Sequence, residues 1–123
     1  MSLEHFIAPG APLPGGSYSH GVVSNGFLYT CGMGPVDPLT GVTPNGIEAQ
    51  VRQTLKNLQA ILNVKNVDFS SVVKVTTHLQ NLTDFSTYDS VYQEFFLEPR
   101  PVRTTVGSQL ANILVEIDLV VAL

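Results

Sequence analysis

Two periodicities divide the chain. Val73, Val75, Thr77 and Leu79 alternate with Lys74, Thr76, His78 and Gln80, and from Leu114 onward Val115, Ile117, Leu119, Val121 and Leu123 alternate with Leu114, Glu116, Asp118, Val120 and Ala122. That is the period of a half-buried strand, and it puts Glu116 and Asp118 on one face. Val102, Thr104 and Val106 alternate with Arg103, Thr105 and Gly107 in the same way. A helical period appears twice. Ile47, Val51, Leu55, Leu58 and Leu62 form one apolar stripe opposite Glu48, Arg52, Lys56 and Gln59, with Asn45 and Glu48 spaced as an N-cap and its reciprocal partner. Phe85, Tyr88, Tyr92, Phe95 and Phe96 form a second, with Thr83 placed to cap it and Pro99 and Pro101 to stop it. Asn25-Gly26, between Tyr18 to Val23 and Phe27 to Met33, tolerates the positive φ angles of a tight hairpin turn. The Pro- and Gly-rich run 8–17 predicts an extended loop.

The resulting order, ββαβαββ, predicts an α+β fold over residues 1–123 as a single domain, with two helices on one face of a mostly antiparallel sheet. The last two strands read as a hairpin turning between Gly107 and Asn112. That register sets Arg103 opposite Glu116, with Cβ atoms roughly 4.5 to 5.5 Å apart.

Composition adds two constraints. At 44% hydrophobic and 13% charged residues, 123 residues can bury one sizeable core but offer little polar material to cover it, which predicts apolar surface hidden against other subunits. A net charge of -4 with only six scattered Lys and Arg argues against nucleic acid as a partner. The lone Cys31 forms no internal disulfide, and MSLEHF begins no apolar run of signal-peptide length, so a reducing, cytoplasmic location is expected. No apolar stretch reaches the roughly 18 residues of a membrane span. His5, His20, His78 and Cys31 show no ligand spacing, so neither a metal nor another cofactor is expected.

Three charges in an otherwise apolar tail are the candidate chemistry. Arg103 presents a planar fork of donors suited to a small carboxylate, although spacing alone favours a structural ion pair with Glu116. Glu116 could orient or deprotonate a water, and Asp118 on the same face competes for that role. Cys31 has no positioned base and reads as a small core thiol. Asp89 reads as a solvated helix acid.

Pro101-Val102-Arg103, Val115-Glu116-Ile117, Thr30-Cys31-Gly32, Pro35-Val36-Asp37-Pro38, Thr40-Gly41, Asp84-Phe85 and Tyr92 with Phe95-Phe96 occur in an order that resembles the RidA/YjgF family of reactive intermediate deaminases over nearly the whole chain. The resemblance implies a chorismate-mutase-like fold and a homotrimer with clefts between subunits. It also implies Arg103 as the anchor of a substrate carboxylate, Glu116 as the residue that directs water, and Tyr18, Cys31, Gly32 and Thr105 as substrate-binding positions. The implied reaction is hydrolysis of 2-aminoacrylate or 2-iminopropanoate to a 2-oxo acid and ammonia. The alternative is a non-catalytic trimer that holds small carboxylates for sensing or partner regulation. An endoribonuclease ranks last, given the acidic charge. Three positions depart from the family pattern: Ser17 replaces a common proline, Thr105 replaces a common cysteine, and the connection after Gly107 lacks the usual Leu-Pro. These bear on substrate preference.

Overall fold

A computed structural model describes residues 2–123. The elements run β1 (Glu4–Phe6), β2 (Gly21–Ser24), β3 (Phe27–Thr30), α1 (Ile47–Val64), β4 (Val72–Leu79), α2 (Phe85–Phe95), β5 (Val102–Gly107) and β6 (Val115–Ala122). The strands form one six-stranded sheet in the order β1-β2-β3-β6-β4-β5. Only β4 and β5 run parallel; every other pair is antiparallel. Both helices pack on one face, giving the α+β architecture that the periodicities predict.

The core follows from the two stripes. Val51, Leu55, Leu58, Ile61 and Leu62 of α1 and Tyr88 and Tyr92 of α2 are buried together with Val75, Leu79, Val115, Ile117, Leu119 and Val121 of the sheet. Cutting one of these leucines to alanine would cost about 2–5 kcal/mol, because a packed core collapses only partly around the space left. Asn25 and Gly26 take φ of 51° and 80°, closing β2 onto β3 through the Ser24–Phe27 pair, as their sequence predicts.

Helix and strand starts differ in detail from expectation. α1 begins after Gly46, which has φ of 86° and gives no side-chain cap, so the Asn45 and Glu48 box does not form. A 3₁₀ turn, Leu82–Asp84, takes up the segment where Thr83 was expected to cap, and α2 starts at Phe85. The first hairpin strand begins at Gly21, because the Tyr18 N–H turns back to the Gly16 carbonyl at 3.1 Å and leaves the ladder. A short strand at Glu4–Phe6, absent from the predicted order, pairs with β2 instead.

The predicted hairpin of the last two strands is not formed. β5 pairs in parallel with β4, Arg103 beside Val75, while β6 pairs with the other edge of β4, Glu116 beside His78. The physical reason lies in α2, which carries the chain back to the start of β4, so that β5 must run alongside β4 in the same direction. The segment 108–114 then crosses the end of β4, fastened by Ser108 N–H to the Leu79 carbonyl at 2.9 Å and by Gln80 N–H to the Leu114 carbonyl at 3.0 Å. No helix among the described residues is long and apolar enough to cross a membrane.

Candidate active site

Cross-strand partners share a face of the sheet. Val75 pairs with both Arg103 and Leu119, so Arg103 points to the helix side. His78 pairs with both Val106 and Glu116, so Glu116 points to the open side. Arg103 and Glu116 of one chain are therefore on opposite faces, and the direct pairing expected of them does not exist.

Arg103 instead sits in an aromatic enclosure on α2. Its guanidinium carbon is 4.5 Å from the centroid of Tyr92 and 5.3 Å from those of Phe85 and Tyr88. Rings at this distance present their negative faces to the cation. Nη1 donates to Asp89 Oδ1 at 2.8 Å, and Gln93 Nε2 donates to Asp89 Oδ2 at 3.0 Å. Asp89 is thus not the freely solvated acid that its place on a polar helix face suggested; the Arg103 hydrogen bond holds its carboxyl below the usual range. Burial works against the charge on Arg103, and the Asp89 hydrogen bond together with the electrostatic effects of Tyr88, Asp89 and Tyr92 more than offsets it, raising the pKa of the guanidinium. A pocket of about 300 Å³ opens here between Asp89, Tyr92, Gln93, Arg100, Pro101 and Arg103. The Tyr92 hydroxyl is buried without a hydrogen-bond partner among the described residues. Burial pushes its phenol up to about 12, so it remains a proton donor at neutral pH. Thr105, two residues on, faces the same way as Arg103, beside Thr77, whose hydroxyl is 2.6 Å from the Tyr88 hydroxyl.

The other candidate residues gather elsewhere. Tyr18, Gly32 and Glu116 line one groove of about 480 Å³, walled by Pro12, Leu13, Pro35 and Ile113. Gly32 is required there: an ideal Cβ would meet Glu116 Oε2 at 2.7 Å. Tyr18 is half-exposed, and its hydroxyl accepts the Gly15 N–H at 3.0 Å, which folds the glycine-rich loop over its ring. His20, fully buried, anchors that loop: Nδ1 accepts the Ala8 N–H at 2.8 Å and Nε2 donates to the Pro12 carbonyl at 2.7 Å. The Cys31 thiol is pushed up to about 11 by burial and by the nearby Glu116 charge. It is a protonated neighbour of the groove and not a nucleophile. Asp118 lies one pair further along β6 beside Thr76, its carboxyl also raised, chiefly by burial. No three His, Cys, Asp or Glu side chains among the described residues converge as a metal-ligating group.

The six candidate positions thus divide into Tyr18, Cys31, Gly32 and Glu116 on one side and Arg103 and Thr105 on the other. Sequence reasoning missed the company Arg103 keeps. The available signal was helical spacing: Phe85, Tyr88, Asp89 and Tyr92 fall on adjoining positions of one helix surface.

Comparisons with known proteins agree with this architecture. The family model described as endoribonuclease L-PSP matches residues 9–123. The candidate regulator AldR of Lactococcus lactis is 39% identical over 113 residues, covering 89% of this chain and 90% of its own. A 2-iminobutanoate/2-iminopropanoate deaminase of Escherichia coli is 38% identical over 88 residues, 72% of this chain and 69% of its own. The crystal structure of RidA from an Antarctic Psychrobacter superposes with a TM-score of 0.93 at 28% identity, over 98% of this chain and 99% of that one. A family model that spans all but the first residues, joined to this likeness of fold, places the chain in the RidA/YjgF family.

Proposed function

We propose that the protein hydrolyses reactive 2-imino and enamine acids, such as 2-iminopropanoate and 2-aminoacrylate, to 2-oxo acids and ammonia, in a homotrimer with clefts between subunits. The observation that carries this reading is the division of the site. Arg103 and Glu116 face away from each other across one sheet, so a cleft holding both takes Arg103 from one chain and Glu116 from another. The deaminase name of the Escherichia coli relative supports the same reading.

In such a cleft Arg103 grips the substrate carboxylate and fixes C2 in front of the groove that holds Glu116. Glu116 accepts a proton from water as the oxygen bonds to C2, and the C=N π electrons move to nitrogen. With the imine entering protonated at nitrogen, Glu116 returns that proton to the nitrogen of the 2-amino-2-hydroxy acid and takes the hydroxyl proton as the C–N bond breaks. This releases ammonia, leaves the 2-oxo acid and passes the last proton to solvent. The enamine 2-aminoacrylate joins this sequence after tautomerising to the imine by taking a solvent proton at C3. Imines already hydrolyse in water, so orientation and one proton shuttle suffice.

The test is ammonia release from 2-iminopropanoate generated in situ. Arg103→Ala and Glu116→Gln should each keep about one hundredth of wild-type activity or less when assayed alone. Mixed and refolded together, the two variants should regain activity at about a quarter of the interfaces, those that pair an intact Arg103 with an intact Glu116 across a ring contact. No recovery on mixing, with both variants folded, would reject a site shared between chains.

A further inference from the structure

The acid beside Arg103 has no part in the reaction just described. From the 2.8 Å contact between Arg103 Nη1 and Asp89 Oδ1 at the wall of a pocket also lined by Gln93 and Arg100, we infer that Asp89 is a specificity-determining residue that selects substrates carrying a cationic nitrogen beside their carboxylate. The inference rests on the reading of Arg103 as carboxylate anchor.

A guanidinium alone would hold any small carboxylate, including the 2-oxo acid product. With Asp89 against it, the pocket sets a negative group between the guanidinium of Arg103 and the lining Arg100. A product carboxylate arriving at Arg103 meets the Asp89 charge as a repulsion and has nothing to offer it. A protonated imine or an amine on the adjacent carbon offers it an N–H donor. Asp89 has room for that bond: an ionised carboxylate has about four lone-pair sites, and two are used, by Arg103 and Gln93. The acid is also held ionised by its arginine. The pocket is therefore complementary to an iminium or ammonium carboxylate and poorly complementary to a plain carboxylate, so substrate is retained and product let go.

The test compares two stable probes, L-alanine as the zwitterion and pyruvate as the plain carboxylate, by ligand-observed NMR titration of the full protein. The wild type should hold L-alanine more tightly than pyruvate. Asp89→Asn should shift the ratio of the two affinities toward pyruvate on the order of tenfold, the size of one charge-assisted hydrogen bond gained or lost, and Asp89→Ser should do the same. Arg103→Gln should weaken both ligands. If Arg103→Gln weakens both while Asp89→Asn and Asp89→Ser leave the ratio unchanged, Asp89 selects nothing and the anchor stands. If Arg103→Gln binds both like wild type, or wild type binds neither, the anchor falls and the selection with it.

Discussion

Gly32 and Glu116 occupy touching positions that leave no space for a β-carbon: one built on Gly32 would lie 2.7 Å from Glu116 Oε2 and 2.9 Å from its Cδ. The atoms in the way belong to the end of a flexible side chain, so the fold can absorb a methyl group and the carboxylate cannot stay where it is. Gly32→Ala should melt close to wild type yet release ammonia on the order of 10–100 times more slowly, since a displacement of about 1 Å suffices to spoil alignment at a reacting carbon. A calorimetric scan beside the ammonia assay checks both halves.

Arg103→Lys keeps the charge and loses the shape. A compact ammonium cannot make two parallel bonds to a carboxylate, nor reproduce the contact of the guanidinium with the Tyr92 ring, whose centroid lies 4.5 Å from its central carbon. Activity should fall nearly as far as in Arg103→Ala, roughly 100-fold or more, as read from kcat/KM.

Glu116→Gln should separate binding from chemistry. The amide has nearly the size of the carboxylate but cannot take up a proton in the same way, so ammonia release should fall by about 10²–10⁴-fold. Pyruvate, held by Arg103, should bind as it does to wild type. Equal turnover in the variant would remove Glu116 from the reaction.

His20 has a structural assignment. Because the Ala8 N–H can only donate, Nδ1 accepts it and the ring proton sits on Nε2, facing the Pro12 carbonyl. His20→Ala strands both backbone groups and should cost about 2 kcal/mol or more in urea unfolding. The loop it anchors walls the Glu116 groove, so catalysis should weaken as well.

Asp89 gives a pH signature with a definite sign. Its carboxyl is lowered from an ordinary 3.8, first of all by the Arg103 hydrogen bond, so the stabilisation it brings is fully present above that ordinary value and is lost as pH falls through the lower folded value. The stability difference between wild type and Asp89→Asn should be about 0.5 kcal/mol near neutrality, the size of a partly exposed ion pair. It should shrink toward zero in strong acid. A gap that grew on acidification would contradict the pairing.

Which residues of one strand share a side was legible in the sequence. Which side turns to the helices was legible for β6 but not for β5, where the expected hairpin put Arg103 on the face of Glu116 and the structure turns it to the helix side. Alternation along β6 placed Glu116 and Asp118 away from the core, and alternation along β5 separated Arg103 from Val102, because side-chain direction is a local property of the strand. Which strand lies beside which is decided by a helix many residues away. The short link 108–114 suggested a hairpin, and only the crossover through α2 reveals that the slot beside β5 was already filled by β4. The helix caps failed for a local reason: Gly46 and the turn at Leu82–Asp84 supply backbone geometry that makes side-chain caps unnecessary. The Asp89–Arg103 contact joins a helix to a strand 14 positions on, beyond any periodicity.

The place of β6 also sets the order in which the molecule can be completed. It lies between β3 and β4, yet it is the last of the elements to be synthesised. Until it arrives, β3 and β4 each expose an unpaired edge and α1 has no floor beneath its apolar stripe. Pairs such as Phe27 with Ala122 close the longest loops in the chain, and distant pairings of this kind slow folding and leave sticky intermediates in the meantime. A nascent chain released before Val115 would therefore carry two apolar half-sheets with nothing between them, a form destined for aggregation or proteolysis and not for a smaller version of the fold.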